Sequence, residues 1–195
     1  MTITKDLLDA LNIDTVVKRR EFLKTGAIVA TAAQLWMPTV ADAKAFTGSG
    51  RVVQIHNAHT GETFDGEYWA DGKYHPDAFR EIKKIFRDHR SGDIFPIDPR
   101  LIDVMYVLHN RAESNKAFRL FSGYRSPATN RKLRKLTSGV AEKSLHMLGQ
   151  AVDLRLPGTN LHNLRKAAIN LKAGGVGYYP DSHFLHLDTG RVRHW

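Results

Sequence analysis

Cysteine is absent from this 195-residue chain. That excludes disulfides, cysteine nucleophiles and cysteine-ligated zinc together. Any transition-metal site must therefore be built from His, Asp and Glu, and ten His are available. No internal repeat and no low-complexity tract is visible. No apolar run is long and uninterrupted enough to cross a bilayer comfortably. Zinc-finger spacing, an aromatic-rich RNA motif and a long basic helix are all missing, so the formal net charge of +9 does not read as a nucleic-acid footprint. Residues 1–43 hold five basic and five acidic residues, which leaves the whole excess with the remainder. That remainder presents either an ordinary basic surface or one that meets an anionic polymer or membrane surface. The length and an apolar fraction of 42% fit one globular domain with a sizeable core.

What is present begins with an address. Residues 18–24 read Lys-Arg-Arg-Glu-Phe-Leu-Lys, an Ala- and Thr-rich apolar stretch runs from Thr25 to about Met37, and Ala41-Asp42-Ala43 supplies an A-x-A site before Lys44. Charged region, apolar region and small-residue site come in signal-peptide order. Arg19-Arg20 followed by Phe22-Leu23-Lys24 resembles a twin-arginine signal, which implies export of the folded protein by the twin-arginine machinery into the periplasm. The competing reading is an N-terminal amphipathic helix with a basic turn. For an exported chain, the anionic polymer that suits the charge is peptidoglycan with its teichoic or lipid neighbours. Residues 44–51 read as a flexible lead and residues 52–195 as a single domain.

Within that domain, Val52–Asn57 and Phe64–Trp69 read as strands, with a hairpin-type turn at Asp71-Gly72 after the second. Residues 76–90 read as a helix with Phe79, Ile82, Ile85 and Phe86 on one face. Asp98-Pro99 opens a second helix, Asp as cap and Pro at the first position, with a stripe of Leu101, Ile102, Met105 and Leu108. Phe118–Phe121 is a strand, and Ser126-Pro127 starts a short basic helix. Gln150–Leu156 alternates, with Val152, Leu154 and Leu156 on one side and Ala151, Asp153 and Arg155 on the other. A helix over Leu161–Leu171 ends at Gly174-Gly175, and strands follow at Val176–Tyr179 and Phe184–Asp188. Helices come early and strands cluster late. The expected class is α+β with a small antiparallel sheet flanked by helices.

The chemistry concentrates in two segments. In Ser144-Leu145-His146-Met147-Leu148-Gly149-Gln150-Ala151-Val152-Asp153, a turn at Gly149 would fold His146 back over the strand residue Asp153. In Phe184-Leu185-His186-Leu187-Asp188, His186 faces away from the leucines. His146, Asp153 and His186 make three protein ligands of the kind zinc takes, with a fourth position for water. Each residue has a plainer reading as well, a satisfied core histidine or a turn or salt-bridge aspartate.

S-x-H-x-x-G-x-A-x-D at Ser144, His146, Gly149, Ala151 and Asp153 resembles the zinc motif of the M15 peptidases, a family of D-alanyl-D-alanine carboxypeptidases, D-Ala-D-Ala dipeptidases and phage endolysins. Further pieces are similar to its murein endopeptidase K branch: H-T-G-E at 59–62, R-D-H-R at 87–90, S-G-Y-R-S-P-x-T-N at 122–130, G-G-V-G-Y-Y-P at 174–180, and the ending H-L-D-T-G-R-V-R. The resemblance covers roughly residues 52–195. It implies a zinc peptidase acting on peptide stems of peptidoglycan, and more specifically an endopeptidase that cuts cross-links. The alternatives are a D,D-carboxypeptidase, or a wall-binding module that keeps the fold without turnover. By similarity Arg125 stabilises an oxyanion or binds a substrate carboxylate, and Tyr124 beside it is a further candidate for substrate binding. Ser144 either contacts substrate or caps the His146 loop. Several members of the family carry an acidic base three residues before the last zinc histidine. That position is His183 here, so Asp181, His183 and Asp188 all stand as candidate bases.

Overall fold

A computed structural model of the protein describes residues 50–137 and 139–195. The expected signal segment 1–43 lies outside the described residues. The first strand, β1 (Arg51–Asn57), buries Val53, Ile55 and Asn57 in alternation. It starts inside the segment expected to be a flexible lead. The reason is local: the Arg51 guanidinium lies 3.9 Å from the Trp69 ring centre and 3.0 Å from Asp103 Oδ1, so this residue is anchored. β2 (Thr63–Ala70) and β3 (Lys73–Tyr74) follow through the turn at Asp71-Gly72.

Helix α1 spans Pro76–Ile85 and buries Ala78, Ile82 and Ile85. The expected helix to residue 90 stops short because Asp88 competes for backbone. Its carboxylate accepts from Arg90 N at 3.0 Å and, across the molecule, from Ser126 N at 3.0 Å. Helix α2 (Pro99–Arg111) starts as expected, with Asp98 accepting from Arg100 N, and is buried from Leu101 to Leu108. β4 (Phe118–Ser122), α3 (Pro127–Leu136, capped by Ser126), a 3-10 turn (Leu145–Leu148), β5 (Ala151–Arg155), α4 (Leu161–Asn170), β6 (Gly175–Tyr179), β7 (Phe184–Asp188) and β8 (Arg193–His194) complete the order.

The class is α+β, as expected, but the sheet is neither small nor wholly antiparallel. Its eight strands run β3-β2-β1-β4-β5-β7-β6-β8. β1 pairs with β4, and β6 with β8, in parallel. Apolar alternation along one strand carries no information about the direction of its neighbour. The chain from Asn57 to Phe118 makes a long crossover through a hairpin and two helices. One sheet face, with Val53, Ile55, Leu120, Val152, Leu154, Leu185 and Leu187, is buried with residues of α1, α2 and α4 in a single core. The other face of β4, β5, β7 and β6 carries the polar side chains.

Segments distant in sequence hold the loop between β4 and α3. Tyr124 N donates to Phe86 O at 2.6 Å and Arg125 N to His146 O at 3.1 Å. A Cβ on Gly123 would run into Phe86 O, so the close approach requires glycine there. The H-T-G-E and R-D-H-R pieces interlock beside it, through Arg87 Nη1 to Glu62 Oε2 at 2.6 Å and a His59–His89 ring stack at 3.9 Å.

Asp88 is 1% exposed. Burial raises its carboxyl, but hydrogen bonds from Thr129, Ser126 and Arg90 outweigh this and hold it at about 2. A carboxylate lowered on folding stabilises above its unfolded value of about 3.9. That contribution disappears as pH falls through the folded value. Asp88→Asn is expected to cost about 1–3 kcal/mol near neutral pH, because buried donors lose a charged acceptor. The parent's advantage should shrink between about pH 4 and 2. Urea unfolding of both proteins across that range measures it, and a pH-independent difference would contradict the assignment.

Candidate metal centre

Strands β5 and β7 pair antiparallel with Asp153 opposite His186, so both side chains emerge on the same open face. His146 arrives from the 3-10 turn, whose cap is Gly149 at φ +63°. A side chain at Gly149 would be strained by that φ and would collide with Pro96 O. The same loop is tied to the start of α2, since Asp98 N donates to Gly149 O at 2.9 Å. Thr189 Oγ1, just after β7, donates to Asp98 Oδ2 at 2.7 Å.

Three atoms converge. His186 Nδ1 is 2.9 Å from Asp153 Oδ1, His146 Nε2 is 3.3 Å from the same oxygen, and the two nitrogens are 3.2 Å apart. Atoms held ~2.1 Å from a tetrahedral zinc lie ~3.4 Å from one another, so the cluster has the spacing of a zinc ligand set. The far nitrogen of each ring is occupied. His146 Nδ1 donates to Gly123 O at 2.7 Å, and His186 Nε2 donates to Asp188 Oδ2 at 3.1 Å. These bonds fix the tautomers that leave His146 Nε2 and His186 Nδ1 with lone pairs toward the cluster. Two imidazole nitrogens and a carboxylate oxygen, all acceptors, fit a divalent cation.

The electrostatics agree. Burial raises the Asp153 carboxyl, but the charges and hydrogen bonds of His146 and His186 prevail and hold it well below the usual carboxylate range. Burial lowers His186, yet Asp153 and Asp188 bring it up to about 9. Among protein charges alone, then, a proton is drawn to the place where positive charge is wanted.

Asp188 is 3% exposed and fully engaged. Besides His186, it accepts from Gly175 N at 3.0 Å, Gly190 N at 2.9 Å and both Nη atoms of Arg193, at 3.0 and 2.7 Å. Burial again raises the carboxyl, and these donors reverse the effect.

A cavity of about 320 Å³ opens over the cluster, lined among others by Arg125, Ser144, Tyr179, Phe184 and Trp195. Arg125 Nη2 is 3.7 Å from Asp153 Oδ2. Burial lowers the guanidinium from its usual range, with Asp153 opposing. Ser144 lines the cavity and makes no capping hydrogen bond to the His146 turn. Tyr124 is outside this lining, stacked on Phe95 at 4.9 Å. Asp181 and His183 are exposed at the hairpin tip between β6 and β7. His183, at φ +54°, lines a separate cavity with Arg155 and Thr159. Its side chain is not part of the lining of the cavity over the cluster.

Sequence reasoning missed Trp195 and Tyr179. β8 lies along β6, and Trp195 Nε1 donates to the Tyr179 hydroxyl at 3.1 Å, which brings the indole ring 5.5 Å from His186. Tyr179 lay within the quoted G-G-V-G-Y-Y-P, where its position was a usable signal. Nothing local marked Trp195.

A family model described as peptidoglycan L,D-endopeptidase MepK matches residues 45–195. The chain is 44% identical over 177 residues to the peptidoglycan L,D-endopeptidase MepK of Escherichia coli strain K12, covering 91% of this chain and 96% of that protein. It is 34% identical over 178 residues to a probable peptidoglycan L,D-endopeptidase MepK of Haemophilus influenzae, covering 91% of this chain and 95% of that one. Matches of this extent, over a fold that gathers His146, Asp153 and His186 onto one face, make the chain a member of the M15 peptidases, in the group described as peptidoglycan L,D-endopeptidase MepK.

Proposed function

We propose that this protein is a zinc-dependent peptidoglycan endopeptidase that hydrolyses L,D peptide bonds in cross-links between stem peptides. The observation that carries this is the convergence of His146 Nε2, Asp153 Oδ1 and His186 Nδ1 at the floor of an open cavity, in a chain 44% identical to an L,D-endopeptidase. Zinc held by these three residues supplies Lewis acidity and a water of lowered pKa. The chain's own groups do the rest. Gly123 O and Asp188 orient the two imidazoles. Arg125 projects a guanidinium toward the cavity, where an oxyanion or substrate carboxylate is stabilised. Tyr179, Phe184 and Trp195 form apolar walls that exclude water from one side of the peptide. The protein lacking residues 1–43, incubated with zinc and cross-linked muropeptides, should generate new amine termini at L,D bonds. Loss of only a C-terminal residue would indicate a carboxypeptidase, and retention without cleavage a binding module.

Each of His146→Ala, Asp153→Ala and His186→Ala should lose stoichiometric zinc and activity, since two ligands hold the ion poorly. Metal content by mass spectrometry checks this; full zinc in any two of the variants would sink the ligand set.

Among the three candidate bases, Asp188 alone approaches the cluster, and its oxygens are already committed to donors. We assign it the orientation of His186 rather than proton transfer. Asp188→Asn should weaken zinc binding by roughly 10- to 100-fold, with activity largely recovered in excess zinc. A variant that keeps its zinc but stays ~10²–10⁴-fold slow would identify Asp188 as the base instead.

The same reading places the protein outside the cytoplasm, exported by the twin-arginine route on Arg19 and Arg20. Replacing both with lysine should leave it in the cytoplasm. Recovery of that variant from the periplasm would exclude this route.

A further inference from the structure

The open face continues beyond the metal cluster. Arg119 and Arg155 stand directly opposite each other where β4 and β5 pair. Like charges in that relation repel. Among the described residues neither guanidinium has an acidic partner or a hydrogen bond, and the Nε of each is buried without one. Both flank one ring: Arg119 Cζ is 5.7 Å and Arg155 Cζ 5.8 Å from the centre of Phe121. Phe121 is there because of a bulge. Leu120 pairs with Leu154 and Ser122 with Asp153, which leaves Phe121 as the extra residue, turned to the open face.

The ring joins the pair to the centre. Phe121 lies 6.2 Å from Phe184, which stacks on Tyr179 at 4.6 Å, and both of these line the cavity over the cluster. Arg155 follows Asp153 by two residues on the same face, a separation of about 6.6 Å along the strand. It also borders the neighbouring cavity of about 350 Å³ with Thr159 and His183.

We propose that Arg119 and Arg155 form a carboxylate-binding subsite of the same cleft, taking a free α-carboxylate of the peptide about two residues from the scissile bond. The subsite rests on the endopeptidase reading for the identity of its ligand. An extended peptide crossing the cluster would lie over Phe184 and Phe121 and set its carboxylate between the two guanidinium groups. Their N–H donors would then acquire an acceptor, and the mutual repulsion a counter-charge.

The test uses two stem peptides, alike except that the flanking carboxylate is free in one and a carboxamide in the other. Cleavage and equilibrium binding are measured for the zinc-loaded parent, Arg119→Gln, Arg155→Gln and the charge-keeping Arg155→Lys. The parent should favour the acid by about 10- to 100-fold, mainly through KM. Each Gln variant should lose that preference, and Arg155→Lys should recover part of it. A parent that treats acid and amide alike overturns the subsite, as do folded Gln variants that keep the preference. Poor folding of a Gln variant leaves the parent's acid-to-amide ratio as the deciding measurement. A parent that cleaves neither peptide yet binds the acid more tightly would overturn the endopeptidase reading and leave the subsite standing.

Discussion

One pairing governs the molecule: Asp153 opposite His186 across β5 and β7. Strand side chains alternate with a period of two, so a slip of one residue would send both groups into the core and bring leucines to the open face. The register is held from behind. Val152 and Leu154 on β5, and Leu185 and Leu187 on β7, are each 2% exposed or less. Burying such side chains is worth roughly 1.5–3 kcal/mol apiece, so a slipped pairing is strongly disfavoured. The apolar face of the sheet therefore determines where the polar chemistry on its other face can be.

That arrangement would be costly without support, because acceptor atoms crowd within 3.3 Å on a largely buried surface. The support comes from remote segments. Gly123 O, at the end of β4, receives the His146 proton, and Gly123 is placed by the tie from Tyr124 N to Phe86. Asp188 receives the His186 proton and is neutralised by the two-pronged grip of Arg193 from β8. Asp88 fixes Ser126 and, with it, the loop that aims Arg125. Motifs far from His146, Asp153 and His186 in sequence thus act on the site by positioning its loops.

This explains what could be read in advance. Spacing and alternation singled out His146, Asp153 and His186 as candidate ligands, because a glycine turn and a strand are local properties, and Gly149 at φ +63° makes the turn that was expected. Helices α2 and α3 began at Asp98 and Ser126 for the same reason, since caps are written in adjacent residues. The failures are non-local. The helix from Pro76 ended early because Asp88 found a partner 38 residues away. Parallel pairing of β1 with β4, and Trp195 beside His186, depend on crossovers that no short window reveals. Strand alternation puts Asp188 on the face of His186 but carries no sign of the four donor groups that occupy its oxygens. His183 has a left-handed φ that a non-glycine residue rarely adopts, so its direction could not be read from strand parity.

The excess positive charge takes its meaning from the same face. A net +9 draws anionic polymers in general. Salt screens that attraction beyond about 8 Å at physiological ionic strength, however, so it cannot select one bond in a peptide network. Selection has to come from charges held within a few ångströms of the substrate. Arg193 is spent on Asp188, and Arg125 leans on Asp153 at 3.7 Å. Arg119 and Arg155 are joined to the same cavity by a continuous aromatic floor and have no acid of their own among the described residues. Asp188 has four separate partners, whereas two opposed arginines are left unpaired among the described residues, and on the reading proposed above that unmet charge would lie about two residues from the scissile bond. There, charge complementarity would fix the register of a substrate on the sheet, just as apolar packing fixes the register of the strands beneath it.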